Sequence, residues 1–211
     1  MKKTVILILF PILLAAVAWL FVIPTVERSH YDFTLNSADG PVSLGDFRGK
    51  KAVAVYFGYT YCPDICPTTF SNLTAAIRRL SPEDAAQMQI IFISVDPGRD
   101  TPQSLQEYVQ YFYPSFIGVT GTKEQIDEVV ARYDGTQYTF IEGGSDAMGY
   151  TVGHTSFVYF FDKQGNFSSI LNHSIDPSET LEHMQKALGK VNTPGVESPP
   201  IAKPLHRIYT R

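Results

Sequence analysis

Two short runs constrain this chain more than any other feature. Lys51-Ala-Val-Ala-Val-Tyr-Phe-Gly58 and Gln89-Ile-Ile-Phe-Ile-Ser-Val95 are apolar almost without interruption and rich in β-branched and aromatic residues. A strand with one wet face alternates polar and apolar residues, so a run that does not alternate reads as a strand buried on both sides. The intervening segments carry the helical period instead. Phe70, Leu73, Ile77 and Leu80 make one stripe, Thr101-Pro102 opens a helix with Leu105, Val109 and Phe112 on one face, and Thr122 to Tyr133 begins with Thr-x-x-Gln. Phe116 to Val119 is a further short strand. Gln137 to Ile141 and Thr155 to Phe161 read as a hairpin across Gly143-Gly144-Ser145-Asp146, and Asn166 to Leu171 adds another strand. Asp176-Pro177 caps a last helix to Leu188, stopped by Gly189. Strands alternating with helices predict an α/β sheet with helices on both faces.

The N-terminus addresses the compartment. Met1-Lys2-Lys3 precedes Thr4 to Ile23, an uncharged stretch that as a helix spans roughly 30 Å, one hydrocarbon thickness. The lysines stay on the cytoplasmic side, which predicts an N-terminal transmembrane helix over 1–23 with the rest of the chain on the far side. Ala16-Val17-Ala18 also has the small-x-small form of a signal-peptidase site, so a cleaved signal peptide is the alternative. Either way residues 24–189 are expected as one exported domain on the periplasmic or outer side, held at the bacterial inner membrane by the retained anchor in the first reading. Residues 190–211, with Pro194, Pro199, Pro200 and Pro204, read as an extended tail. A formal charge of -4, from 17 basic against 21 acidic residues, excludes the electrostatic footprint of nucleic-acid binding.

An exported domain commonly uses cysteines as staples, yet this chain has only 2, Cys62 and Cys66. Bridging them closes a five-residue loop, worth roughly 2 kcal/mol before strain, so chemistry explains the pair better than stability. They lie where the first buried strand gives way to a helix that Pro67 is suited to open. That places Cys66 at a helix N-terminus, a setting expected to favour its thiolate. The layout is that of thioredoxin-like folds, with Cys-x-x-x-Cys in place of the redox Cys-x-x-Cys. Two soft thiolates at this spacing can chelate one metal ion, and His154, in Val152-Gly153-His154-Thr155, is the candidate third ligand.

Three stretches in order, Tyr56-Phe57-Gly58-Tyr59-Thr60-Tyr61-Cys62-Pro63-Asp64-Ile65-Cys66-Pro67, Ser94-Val95-Asp96-Pro97-Gly98-Arg99-Asp100-Thr101-Pro102 and Gly153-His154-Thr155, resemble the Sco/SenC family. The resemblance runs from about Tyr31 to Gly189. It implies a membrane-anchored thioredoxin-like domain that binds one copper through Cys62, Cys66 and His154. It also implies a part in assembling the binuclear copper centre of cytochrome c oxidase subunit II. Thiolate pairs suit Cu(I), and two thiolates with an imidazole can also hold Cu(II). Structural zinc demands four protein ligands. The expected role is a copper metallochaperone rather than an enzyme. The alternative is a thiol-disulfide oxidoreductase in which Cys62 or Cys66 attacks as thiolate and keeps the oxidase cysteines reduced. In either case a dedicated thioredoxin-like reductant is expected as a partner.

The remaining candidates are weaker. Asp64 reads as a turn residue. Asp96 reads as a turn residue too; the alternative, shared with Asp100, is a charge behind the site or a docking group for a partner, not a first-choice ligand. Phe57, Tyr59 and Tyr61 are assigned to packing ahead of a docking surface. His173 is a spare ligand, His183 is expected to be solvated on the last helix, and His30 and His206 belong to no motif. Met1, Met88, Met148 and Met184 form no copper-handling tract.

Overall fold

The computed structural model describes residues 30–143, 149–172 and 176–191. The expected anchor over 1–23, the tail from 192 onward, and His173, His206 and Met148 all lie outside the described residues. Among the described residues no helix is long and apolar enough to cross a membrane.

The two apolar runs form the middle of the molecule. Strand β3 (Ala52–Gly58) and strand β4 (Met88–Ser94) pair in parallel from Ala52 with Met88 to Gly58 with Ser94, and every residue of both is buried. β5 (Ile117–Val119) extends this sheet beyond β4, while β8 (Val158–Phe161) and β9 (Phe167–Leu171) complete it antiparallel on the other side, in the order β5-β4-β3-β8-β9. Alternation along β3 sends successive side chains to opposite faces. Tyr56 meets Phe70 of helix α1 (Ile65–Ile77) on one face, with ring centroids 5.7 Å apart. Phe57 meets Tyr133 on the other at 4.9 Å. Both faces are therefore dry, which is why neither strand alternates in sequence.

Short α2 (Pro82–Ala86) leads into β4. Helix α3 (Pro102–Phe112) starts at the expected Thr101 cap, and α4 (Lys123–Val130) has the Thr122/Gln125 capping box. Helix α5 (Pro177–Ala187) begins at Asp176 and lies on the same side of the sheet as α1, where His183 reaches Phe160. Because β3 and β4 are parallel, the loops that follow them, 59–64 and 95–101, emerge side by side at one end. Sites on α/β sheets gather at such ends.

The expected hairpin is only half correct. β6 (Tyr138–Glu142) does fold back, but its partner is β7 (Tyr150–His154), paired from Tyr138 with His154 to Glu142 with Tyr150. Val158 to Phe161 instead enters the main sheet between β3 and β9. The β6–β7 ribbon is a separate sheet, and His154 is its last residue. A second ribbon, β1 (Thr34–Ser37) with β2 (Gly40–Ser43), is tied to the body by the reciprocal Asn36 and Thr120 backbone bonds, at 2.8 and 2.9 Å. Its Asn, Ser and Pro content hid it from a reading based on apolar pattern.

Candidate metal centre

Cys62, Cys66 and His154 converge. The two Sγ atoms and one imidazole nitrogen all lie within 4.8 Å of one another, the one such group of three metal-ligating side chains among the described residues. Metal–thiolate bonds of about 2.3 Å set the corners of a trigonal site about 4 Å apart, so the donors surround a single ion after small adjustments. His154 presents Nε2 to Cys66 Sγ at 3.5 Å, while its Nδ1 lies 2.9 Å from the Thr155 carbonyl oxygen. A carbonyl only accepts, so Nδ1 carries the hydrogen and Nε2 keeps a lone pair for a metal.

The surroundings treat the two sulfurs differently. Cys66 is fully buried, and Cys62 is 9% exposed at the mouth. Helix α1 starts at Ile65, not at Pro67, with Asp64 as its N-cap residue; Pro67 sits third, where its missing N–H removes only a donor that had no helical partner. The expected preference of Cys66 for its thiolate is overturned: burial pushes its thiol well up, and the neighbouring Cys62 sulfur adds to this. Cys62 is the acidic member, lowered to about 4, first by the hydrogen bond from Cys66 and further by the backbone N–H groups of Cys66 and Asp64. Desolvation of a side chain buried beside Tyr56 outweighs the helix terminus. The pair thus shares one proton once Cys62, the more acidic sulfur, has lost its own.

Two further residues shape the pocket around Cys66. The Tyr56 hydroxyl donates to Cys66 Sγ at 3.4 Å. At Gly58 a Cβ would lie 2.4 Å from Cys66 Sγ and 2.9 Å from Phe92 Cε2, so no larger residue fits without moving the sulfur. A glycine closing a strand of large side chains is the readable signal of such an approach. Gly58→Ala is expected to destabilise the fold by about 1–3 kcal/mol and to weaken metal binding beyond that loss. Thermal melts paired with metal titration check it.

The family model for SCO1/SenC matches residues 24–189. This chain belongs to the SCO1/SenC family. It is 36% identical over 158 residues to the mitochondrial protein SCO2 of Saccharomyces cerevisiae, covering 71% of this chain and 52% of that protein. The chain thus spans about half the length of that yeast relative. A SCO2-like protein of Rickettsia conorii is 34% identical over 154 residues, covering 73% of this chain and 74% of that one. Among solved structures, Arabidopsis thaliana ScoI with copper bound superposes with a TM-score of 0.68 at 34% identity, covering 76% of this chain and 98% of that one. Bradyrhizobium japonicum ScoI with copper bound gives 0.63 at 32%, covering 74% and 98%. The mixed α/β fold is therefore that of the thioredoxin-like Sco structures.

In this SCO1/SenC chain the two aspartates are not docking groups, since Asp96 and Asp100 are 0% and 2% exposed. Asp100 accepts from the Thr60 backbone N–H at 3.0 Å, from the Thr60 hydroxyl at 2.5 Å and from the Ser94 hydroxyl at 2.6 Å, bracing the loop that carries Cys62. Asp96 pairs with Arg99 and accepts from the Tyr150 hydroxyl at 2.7 Å. Asp64 is exposed, and its carbonyl accepts from the Thr68 hydroxyl within the first turn of α1. Phe57 and Tyr59 are buried as expected for packing, and the Tyr59 ring stands edge-on to His154 at 5.8 Å. Tyr61 departs from that expectation, being 50% exposed beside the mouth. His183 is not solvated: it is partly buried, with Nδ1 2.8 Å from Ser169 Oγ and burial lowering its pKa. Beside His154 a groove of about 580 Å³ opens between Tyr138, Ile141 and Thr155.

Proposed function

We propose that this chain takes one copper ion on Cys62 Sγ, Cys66 Sγ and His154 Nε2, and hands it on during assembly of the binuclear copper centre of cytochrome c oxidase subunit II. The observation that carries the reading is the convergence of two sulfurs and an inward-turned imidazole nitrogen in one group of three donors among the described residues. Three donors leave a coordination position through which a receiving ligand can enter, whereas structural zinc is enclosed by four. Membership of SCO1/SenC, a family linked to oxidase copper assembly, and the copper-bound relatives support the same choice. In the proposed arrangement residues 4–23 anchor the chain in the bacterial inner membrane and the domain faces the periplasm; the uncharged apolar run behind Lys2 and Lys3 supports this.

Loading requires the shared proton to leave Cys66. Apparent Cu(I) affinity should therefore rise about tenfold per pH unit between about pH 7 and about pH 9, because one proton is released for each ion bound. A chelator competition repeated across that range checks it; a flat profile contradicts a protonated Cys66.

The asymmetry of the two thiols favours one second reading. Cys62, acidic and at the mouth, is placed to attack a partner disulfide, and Cys66 to resolve the mixed disulfide. The Cys62 thiolate and the Cys66 thiol are oxidised to a disulfide, and the partner's disulfide takes up their two electrons with two protons, one from Cys66 and one from solvent. A thioredoxin-like reductant is then needed to restore Cys62 and Cys66, which are both free thiols here. Incubating the copper-loaded full-length protein with the reduced copper-binding domain of subunit II tests the first reading, and incubating the metal-free reduced protein with the oxidised form of that domain tests the second. Metal transfer to the reduced form supports the chaperone; disulfide reduction without any metal transfer overturns it in favour of the reductase.

A further inference from the structure

The third ligand sits on the β6–β7 ribbon, which shares no ladder with the sheet that carries the cysteine loop. Something other than sheet hydrogen bonding must therefore fix His154 against the sulfurs. Three side chains, Tyr59, Arg99 and Asp96, pin β7 to the body. Tyr59, three residues before Cys62, holds Thr151 Oγ1 at 3.0 Å and accepts from the Val152 N–H at 3.4 Å. Arg99, from the loop after β4, donates through Nη1 to the Tyr150 carbonyl at 3.0 Å and through Nε to Asp96 Oδ2 at 2.5 Å. Its guanidinium also lies over three rings, at 3.8 Å from the centroid of Tyr150, 5.1 Å from Tyr61 and 5.5 Å from Tyr59. One planar cation thus touches the loop that ends at Cys62 and the strand that ends at His154. Asp96, fully buried, fixes the cation from behind and accepts from the Tyr150 hydroxyl as well.

We infer that Arg99 is a positioning residue for the metal's third ligand: by clamping Tyr150 to Tyr59 and Tyr61 it sets how closely His154 approaches Cys62 and Cys66. The inference rests on the copper reading above. Arginine suits the task because its fork donates in a plane while its faces stack on aromatic rings, which a lysine cannot do at once. The consequence falls unequally on the two oxidation states. Cu(I) is satisfied by two thiolates, which lie on one loop and helix, whereas Cu(II) favours nitrogen donors and depends on the imidazole.

The test uses the full-length protein and two variants. Arg99→Lys keeps a cation for Asp96 but loses the fork and the stacking. Arg99→Met combined with Asp96→Asn removes the ion pair without stranding a buried charge. For both, Cu(I) affinity by chelator competition should stay within about threefold of wild type, while Cu(II) affinity falls about 10- to 100-fold. The sulfur-to-Cu(II) absorption and copper hyperfine splitting should change, and in the metal-free reduced protein the His154 ring resonances should shift or broaden. Equal losses for Cu(I) and Cu(II), or an unaltered Cu(II) spectrum with unaltered His154 resonances, overturn the inference while the copper reading stands. A wild-type protein that binds neither ion overturns both.

Discussion

Serine at position 66 should abolish tight copper binding while the domain stays folded. Cys66 Sγ is buried against Tyr56 and the open face of Gly58, and a hydroxyl oxygen fits the same space as a smaller atom. The oxygen is a hard donor that does not ionise in this range, so it replaces neither the softness nor the charge of the thiolate. If the protein ligands share on the order of 10 kcal/mol of binding free energy, one thiolate accounts for about 3 kcal/mol or more, at least ~100-fold in affinity. Cys62→Ser should match it, since Cu(I) held by one sulfur and one nitrogen has lost half of its soft donor set. Copper stoichiometry after desalting, read beside a thermal melt, checks both. A serine variant that retains one tightly bound copper contradicts the assignment of that sulfur.

The second large effect is expected at His154 and is selective. Removing the imidazole in His154→Ala leaves two thiolates that still satisfy Cu(I), but takes away the donor that Cu(II) requires. Cu(II) affinity should drop at least ~100-fold and the sulfur-to-copper absorption should be lost or moved, with Cu(I) loading reduced far less. The same variant divides the two functional readings. Disulfide exchange runs on Cys62 and Cys66 alone, so a reductase keeps most of its turnover without His154. Copper transfer to the oxidase domain should fail.

The parts of the fold legible in sequence were those governed by burial on both faces and by local capping. β3 and β4 could be read from unbroken apolar runs, and α3, α4 and α5 from Thr101, Thr122 and Asp176 at their starts. Cys62 and Cys66 are legible from residue type and spacing, whereas His154, 88 residues away from Cys66, is reached through its place beside a strand and through the family resemblance. What was not legible depends on neighbours far apart in the chain. β7 was missed because Tyr150 to His154 alternates weakly and is held by contacts to Tyr59 and Arg99, which no local pattern records. Of the two alternatives for Asp96 and Asp100, burial selects charges behind the site over docking groups, a choice sequence cannot make because exposed carboxylates and carboxylates buried under Arg99, Ser94 and Thr60 look alike there. His183 was assigned to water on helical position alone, whereas Phe160 and Ser169 cover it from the sheet. For Cys66, the helix N-terminus was visible and the burial that overrides it was not.

The central claim is that a single soft cation is gripped by Cys62, Cys66 and His154 together. X-ray absorption of the reduced, copper-loaded full-length protein tests it most directly. One copper per chain is expected, with two sulfur neighbours and one imidazole nitrogen, the nitrogen shell vanishing in His154→Ala. A copper shell made only of nitrogen and oxygen, or one unchanged by the histidine substitution, would contradict it.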